Sequence, residues 1–102
     1  MVNVNTIIGN IAQLKYFEAT ADKKAFATFT VAVNEVRGEK KTTDFYDIVA
    51  FDGTAEFLNK WFAIGKAVKV DAKVRPSKFE YDNKQFNTLQ LVANQIGFLP
   101  RN

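Results

Sequence analysis

The sequence contains neither cysteine nor histidine among its 102 residues. Without cysteine there are no disulfides, thiolate zinc sites or cysteine nucleophiles, and without histidine the most common general base is missing. No apolar run approaches the roughly 20 residues that span a bilayer, and the first residues lack the basic and apolar regions of a signal peptide. We therefore expect a soluble, cytoplasmic protein with no membrane partner.

The length predicts one domain, residues 1–102, with a single core. The net charge of +3 is unevenly distributed. Residues 1–52 carry six basic and seven acidic side chains, a net charge of −1, whereas residues 53–102 carry eight and four, a net charge of +4. A basic second half fits local contact with a polyanion. Solubility is the alternative interpretation of this charge.

Apolar and polar residues alternate with period two through most of the chain, which predicts β-strands. Gly9 is expected at a bulge or bend, and Pro76 is expected to end the fourth strand or to lie at a sheet edge. Residues 37–41 are predicted to form a mobile loop and residues 81–85 a turn. The five predicted strands cover residues 4–17, 25–34, 45–51, 68–75 and 89–93.

One segment departs from this alternation and predicts a short helix. Thr54 is the expected N-cap, and Gly65 is expected to end the helix. Leu58, Trp61 and Phe62 fall at positions i, i+3 and i+4, so we expect all three in the core beneath the helix. Five strands with one helix between the third and the fourth is the order of an all-β OB-fold, a five-stranded Greek-key barrel. Other five-stranded barrels remain an alternative.

Aromatic residues on the third strand suggest a binding surface. Phe45 and Phe51 are six residues apart and therefore point to one face, roughly 20 Å apart on a straight strand. Asp47 shares that face, and because a buried carboxylate is costly, we expect the face to be exposed. The alternative is that both rings lie in the core.

A second aromatic group consists of Phe79, Tyr81 and Phe86, which flank the predicted turn. Flat rings beside solvated cations suit a ligand that has flat bases and a charged backbone, as single-stranded nucleic acid does. Tyr81 and Phe86 can equally pack the hairpin or a subunit contact. The candidate phosphate neighbours are Lys66, Lys69, Lys73, Arg75, Lys78 and Lys84.

Four segments, in order and at matching spacing, resemble the bacterial and phage single-stranded DNA-binding proteins. The run NTIIGNI at residues 5–11 resembles the opening strand of that family, and TDFYDIVAFDG at residues 43–53 resembles its third strand. Residues 58–70 resemble its helix and fourth strand. The resemblance covers about residues 3–98, which is nearly the whole chain.

The resemblance implies an OB-fold that binds single strands without strong sequence preference and forms homo-oligomers, commonly tetramers. It matches the stacking aromatics of the family to Phe45, Phe51 and Phe79. A further family aromatic aligns with about Val36, so that platform is expected to be absent. The long tail of the family, which ends in an acidic motif, does not follow residues 99–102, so we expect either a tail-less member or a chain from which the tail was removed.

These observations predict a non-enzymatic, cofactor-free protein that binds and protects single-stranded DNA in replication, recombination or repair. Further expected partners are copies of the chain, as a dimer or tetramer, and replication or recombination proteins. An exposed first strand, from Asn3 to Leu14, is the expected pairing edge. The alternatives are a protein-interaction OB module, an RNA-binding OB protein and a metal-dependent nuclease. Asp44 and Asp47 point to opposite faces of a strand, which disfavours the nuclease.

Overall fold

A computed structural model describes residues 4–99, in which the alternating segments form five strands and one helix. No helix within this range is both long and apolar enough to cross a membrane. The elements in chain order are β1 (Asn5–Phe17), β2 (Phe26–Arg37), β3 (Lys40–Phe51), α1 (Asp52–Trp61), β4 (Ala67–Tyr81) and β5 (Lys84–Gly97).

The strands close into a barrel in the order β1-β2-β3-β5-β4. All neighbouring strands are antiparallel except β3 and β5, which run parallel and pair only through Ile48–Leu91 and Val49–Val92. These two pairs close the sheet, and a closed sheet leaves few unpaired strand edges. The predicted OB-fold, with its helix between the third and fourth strands, is confirmed.

The core consists of the inward residues of every strand. On β4 the side chains of Val68, Val70 and Ala72 are fully buried, as the strict alternation of that strand predicts. Phe29 on β2 is the largest of the fully buried side chains. The helix closes one end of the barrel with Ala55 and Leu58. Burial of each large apolar side chain contributes roughly 1.5–3 kcal/mol, so the barrel carries most of the stability.

Gly9 is not at a bulge, one of its two predicted roles, and it lies next to Asn10, where β1 changes its partner from β4 to β2. The register shift of β1 falls between Ile11 and Gln13, whereas Gly9 pairs regularly with Val68. A Cβ atom at position 9 would overlap the carbonyl oxygen of Ala32. Glycine is therefore required here because β1 and β2 approach too closely for any side chain.

The β2–β3 and β4–β5 hairpins have shorter turns and longer strands than the sequence predicts. Arg37 pairs with Lys40, so the predicted mobile loop is instead a two-residue turn, with Gly38 at φ +62°. In the β4–β5 hairpin, Asp82 and Asn83 both have positive φ, which is the pattern of a type I′ turn and confirms the predicted turn.

Pro76 does not end β4, which continues to Tyr81. It lies at an edge, the other predicted outcome. It pairs with Leu89 of β5 on one side, while the described part of β1 reaches only Ala72 on the other. Proline lacks the N–H donor and is tolerated where one side of the strand is unpaired.

The helix boundaries differ from the prediction at both ends. Thr54 is not the N-cap, because α1 already begins at Asp52, which has φ +52° and donates its N–H to the Ala25 carbonyl. At the other end Phe62 adopts an extended conformation. Trp61, the last helical residue, is half-exposed rather than in the core as predicted, whereas Phe62 is buried as predicted.

Gly65 follows the end of the helix by four residues, so it does not terminate α1 as predicted. Its φ of +93° is readily available only to glycine. Its N–H donates to the Ile11 carbonyl at 2.7 Å. The residue therefore serves the turn between α1 and β4 and fastens that turn to β1.

Candidate nucleic-acid interface

The outer face of β1, β2 and β3 carries a groove of about 350 Å³. Because directly paired residues point to the same side of a sheet, the register of these strands sets Lys15, Thr28 and Val49 side by side in its floor. Leu89 and Gln90 of β5 form the opposite wall. The groove is therefore a mixed polar and apolar channel across the strands.

Phe45 and Phe51 flank this groove on β3. Their side chains are 64% and 46% exposed, whereas Ile48 and Ala50, on the other side of the same strand, are buried. Asp47 and Val49 lie between the two rings in sequence and line the groove. The expected outward orientation of the two rings is thus the one observed.

Asp47 is held within the groove by a neighbouring hydroxyl group. The Thr30 Oγ1 donates a hydrogen bond of 2.6 Å to the Asp47 carboxylate, and the two residues are directly paired across β2 and β3. The carboxylate therefore stays on the outer face. Its negative charge repels phosphate, so this part of the groove suits uncharged bases better than a nucleic-acid backbone.

Beyond the barrel, β4 and β5 continue as a two-stranded extension, residues 75–89, which we call the arm. None of its residues is buried. Phe79 pairs with Phe86, and their rings stack with centroids 5.3 Å apart and planes inclined by 19°. The two rings remain 51% and 42% exposed. Stacking braces the rings without hiding them from a ligand.

Three of the six predicted cations share a face with the rings. Lys73, Arg75 and Phe79 occupy alternate positions on β4 and therefore share a face. Tyr81 is 72% exposed on that same face, and Lys84 is its direct partner on β5. This face combines three aromatic rings with three cations.

Two other predicted cations are not in this group around the rings. Lys78 falls on the opposite side of the arm, since it alternates with Phe79. Lys69 belongs to the outer face of the barrel, where it pairs with the half-exposed Ile8 of β1. Lys69 is therefore on the same outward side of β4 as Lys73, four residues or about 13 Å further along the strand from the arm, whereas the structure places Lys78 on the other side.

Lys66 lies at the end of the helix rather than in the groove. Its ammonium group donates to the Trp61 carbonyl at 2.9 Å. It also sits 5.3 Å from the ring centroid of Phe62 and 4.9 Å from that of Phe98. The charge is thus already engaged by a carbonyl dipole and two aromatic faces.

Sequence reasoning missed two outward rings, Phe17 and Phe26. They pair across β1 and β2, and their rings stack at 4.5 Å with planes inclined by 13°. The available signal was that Phe26 alternates with the buried Ala25 and Ala27, which puts it on the outer face.

A closed five-stranded barrel with exposed rings around an outer groove, beside a basic arm, has the features of an oligonucleotide-binding OB-fold protein. Comparison with known proteins identifies the group within this class. Residues 2–99 match the model of the single-strand binding protein family. The chain belongs to that family, whose members are non-enzymatic DNA-binding proteins.

Several relatives of this chain are named single-stranded DNA-binding proteins. The single-stranded DNA-binding protein of Fusobacterium nucleatum is 30% identical over 80 residues, which are 74% of this chain and 52% of that protein. Single-stranded DNA-binding protein 1 of Staphylococcus aureus strain MSSA476 is 29% identical, with 100% of this chain and 69% of that protein aligned. The chain thus matches between about half and two thirds of these relatives' own lengths.

The fold also matches a solved structure. The structure described as the Plasmodium falciparum SSB complex with ssDNA superposes with a TM-score of 0.78 and covers 98% of this chain and 96% of that one. Its sequence identity is 21%, so the match concerns the fold alone.

Proposed function

We propose that this domain binds single-stranded DNA without strong sequence preference and protects exposed strands during replication, recombination or repair. The single observation that carries the proposal is the exposure of Phe45, Phe51 and Phe79 around one groove and its adjoining arm. Exposed rings grouped around a groove are typical of a surface that a ligand covers. Every base has a flat face that can do so, whatever its sequence.

Stacking supplies the selectivity for unpaired strands in this mechanism. Each stack of a base on an aromatic ring contributes about 1–3 kcal/mol. In a duplex the bases already stack on one another, so their faces are not available to Phe45 or Phe79. Binding only the unpaired form pulls hairpins open by mass action. Protection and removal of secondary structure are then consequences of the same contact.

The cations that share the face of Phe79 supply the contacts to the DNA backbone. Lys73, Arg75 and Lys84 share the face of Phe79, while the carboxylate of Asp47 keeps phosphates out of the groove floor. The log of the binding constant for a single strand changes with the log of salt concentration by about −0.7 per neutralised phosphate. Four such contacts, made by these three cations and by Lys69 on the same outward side of β4, give a slope of about −3. Lys66 and Lys78 remain predicted contacts that lie outside this cluster.

A homo-oligomer is the finer part of the proposal, and β1 supports it. β1 pairs with β4 through residues 5–10 and with β2 only from Asn10 onward. Residues 6–8 therefore present their β2-facing edge to a further strand, and a second copy can add there across a two-fold axis. The predicted pairing segment begins at Asn3, which lies outside the described residues. DNA is chosen over RNA because the chain belongs to the single-strand binding protein family and its relatives are named single-stranded DNA-binding proteins.

The test is a titration of end-labelled oligo-dT by anisotropy at two salt concentrations, with a blunt duplex of equal length and with oligo-U alongside. The label is needed because Trp61, the single tryptophan, lies at the far end of α1 from the groove. We expect oligo-dT to bind at least about tenfold more tightly than the duplex, with a salt slope of about −3. Equal affinity for the duplex contradicts the proposal, and tighter binding of oligo-U moves it to RNA.

A further inference from the structure

We infer that Phe17 and Phe26 form an additional base-stacking site, which carries a bound single strand from β3 across β2 to β1. This inference rests on the proposed function and adds to it the course of the bound single strand across the barrel. Its ligand is an unpaired nucleobase, with the adjoining phosphates near Lys15 and Lys24.

The strand register establishes a continuous aromatic row. Phe17 pairs with Phe26, and Phe26 pairs with Phe51. Directly paired residues lie on the same face of a sheet, and Ala27 and Ala50 on the opposite face are fully buried. The three phenyl groups therefore follow one another on the outer surface. Two strand spacings separate the first from the third, which is about 10 Å.

The rings of the row remain accessible to a ligand. Phe17 is 43% and Phe51 46% exposed, and Phe26 lies half-buried between them. The stack of Phe17 on Phe26, at 4.5 Å and 13°, holds both rings in a fixed orientation. The Phe79–Phe86 stack of the arm is formed in the same way, by two phenylalanines paired across neighbouring strands. A braced ring needs little ordering when a base covers it.

Cations stand on both sides of the row. Lys15 occupies the next outward position on β1, where it pairs with Thr28 and lines the groove. On the far side, Lys24 lies in the connection between β1 and β2. Its Nζ is 4.0 Å from an Asp52 oxygen, although its own side chain is 82% exposed. An exposed ion pair of this length contributes little and is readily exchanged for phosphate.

Continuity with Phe51 distinguishes a base from a second copy of the chain as the occupant. The row begins at a ring that already flanks the groove, and it runs across the sheet, whereas Phe45 and Phe51 run along β3. The edge of β1 available to another copy lies at residues 6–8, at the opposite end of that strand from Phe17. A single-stranded DNA that extends across the sheet from Phe51 therefore contacts Phe26 and then Phe17.

The first test is Phe26→Leu, which keeps apolar packing but removes the flat ring, titrated with oligo-dT of increasing length. We expect parent-like affinity for short oligonucleotides and at least about a fivefold loss once the strand is long enough to reach the row. Phe45→Ala is measured beside it and should lose affinity at every length. If Phe45→Ala binds as the parent does, the proposed function fails. If Phe45→Ala loses affinity and Phe26→Leu keeps it at every length, the row is not a base site.

The second test remains decisive if Phe26→Leu destabilises the barrel. Phe26→Trp in a Trp61→Phe background reports directly on stacking, and the native Trp61 of the parent serves as a matched control at the far end of α1. We expect saturating oligo-dT to quench the tryptophan at position 26 by at least about half, by contact with a base, and to leave Trp61 nearly unchanged. Equal responses at both positions overturn the inference. A Phe26 variant that changes the oligomeric state without changing DNA affinity also overturns it and assigns the row to a subunit contact.

Discussion

The barrel and the arm share the strands β4 and β5 but differ in burial. In the barrel, inward positions such as Phe29 and Val70 are buried and packed on every side. In the arm, none of residues 75–89 is buried, and only the ladder between β4 and β5 and one ring stack hold it. Stability therefore resides in the barrel, and the arm is available for binding.

The largest expected effect separates the two regions by stability. Phe29→Ala removes the largest fully buried ring and should lower the free energy of unfolding by about 3–5 kcal/mol. Phe86→Ala, the matched change on the arm, loses one exposed stack and should cost no more than about 1.5 kcal/mol. Urea unfolding followed by circular dichroism measures both. Similar losses for the two variants would mean that the arm is part of the cooperative core.

A second prediction concerns the close approach of β1 to β2. Gly9→Ala places a methyl group against the backbone carbonyl of Ala32, which cannot yield as a side chain can. We expect a loss of about 1–3 kcal/mol in stability from this overpacking. Gly53→Ala is the control, because nothing lies within 4 Å of its added Cβ and it sits in α1. Thermal melting should leave that control unchanged or slightly raised. Parent-like melting of the Gly9 variant would contradict the packing described for β1.

The third prediction reverses the comparison by measuring affinity instead of stability. Phe79→Ala should weaken oligo-dT binding by about 1–3 kcal/mol while the melting temperature stays close to that of the parent. Ile64→Ala is the control, since this residue is 66% exposed but lies in the turn between α1 and β4. Unchanged affinity of the Phe79 variant would remove the arm from the binding surface.

The smallest effect concerns individual cations. Lys73→Ala should reduce the magnitude of the salt slope for oligo-dT by about 0.7, the loss of one phosphate contact. Lys66→Ala should change the slope less, because the Lys66 ammonium is already bound to the Trp61 carbonyl and faces two rings. Titrations at four or more salt concentrations measure both slopes. An equal reduction of the salt slope in the two variants would mean that Lys66 also contacts a phosphate.

Local alternation was sufficient to predict the barrel strands and the outward rings of β3. Val68, Val70 and Ala72 alternate with charged residues, so their direction follows from period two alone. Asp47 predicts the direction of Phe45 in the same way, because the two residues share a face and a carboxylate is expected on the solvent-exposed side. The predicted helix stripe failed at Trp61, which is the last residue of α1 and is half-exposed, although Phe62 just beyond the helix is buried. Periodicity predicts the direction of a side chain but not whether the core extends beneath the last residue of a helix.

Features that depend on the pairing of distant strands could not be predicted. The row of Phe17, Phe26 and Phe51 requires the register of β1 against β2, which includes a shift between Ile11 and Gln13. A shift of one residue moves a side chain to the other face of a sheet, and no local pattern reports it. The position of Lys66 likewise depends on the turn at Gly65, which fastens that segment to β1.

The central claim is that exposed rings on the barrel and on the arm bind unpaired bases together, and the double variant Phe45→Ala/Phe79→Ala tests it most directly. Its affinity for oligo-dT and its melting temperature are measured beside those of the parent. We expect affinity to fall by at least about 30-fold, from the loss of two stacks, with a melting temperature close to that of the parent. Parent-like affinity in a folded double variant would contradict the account.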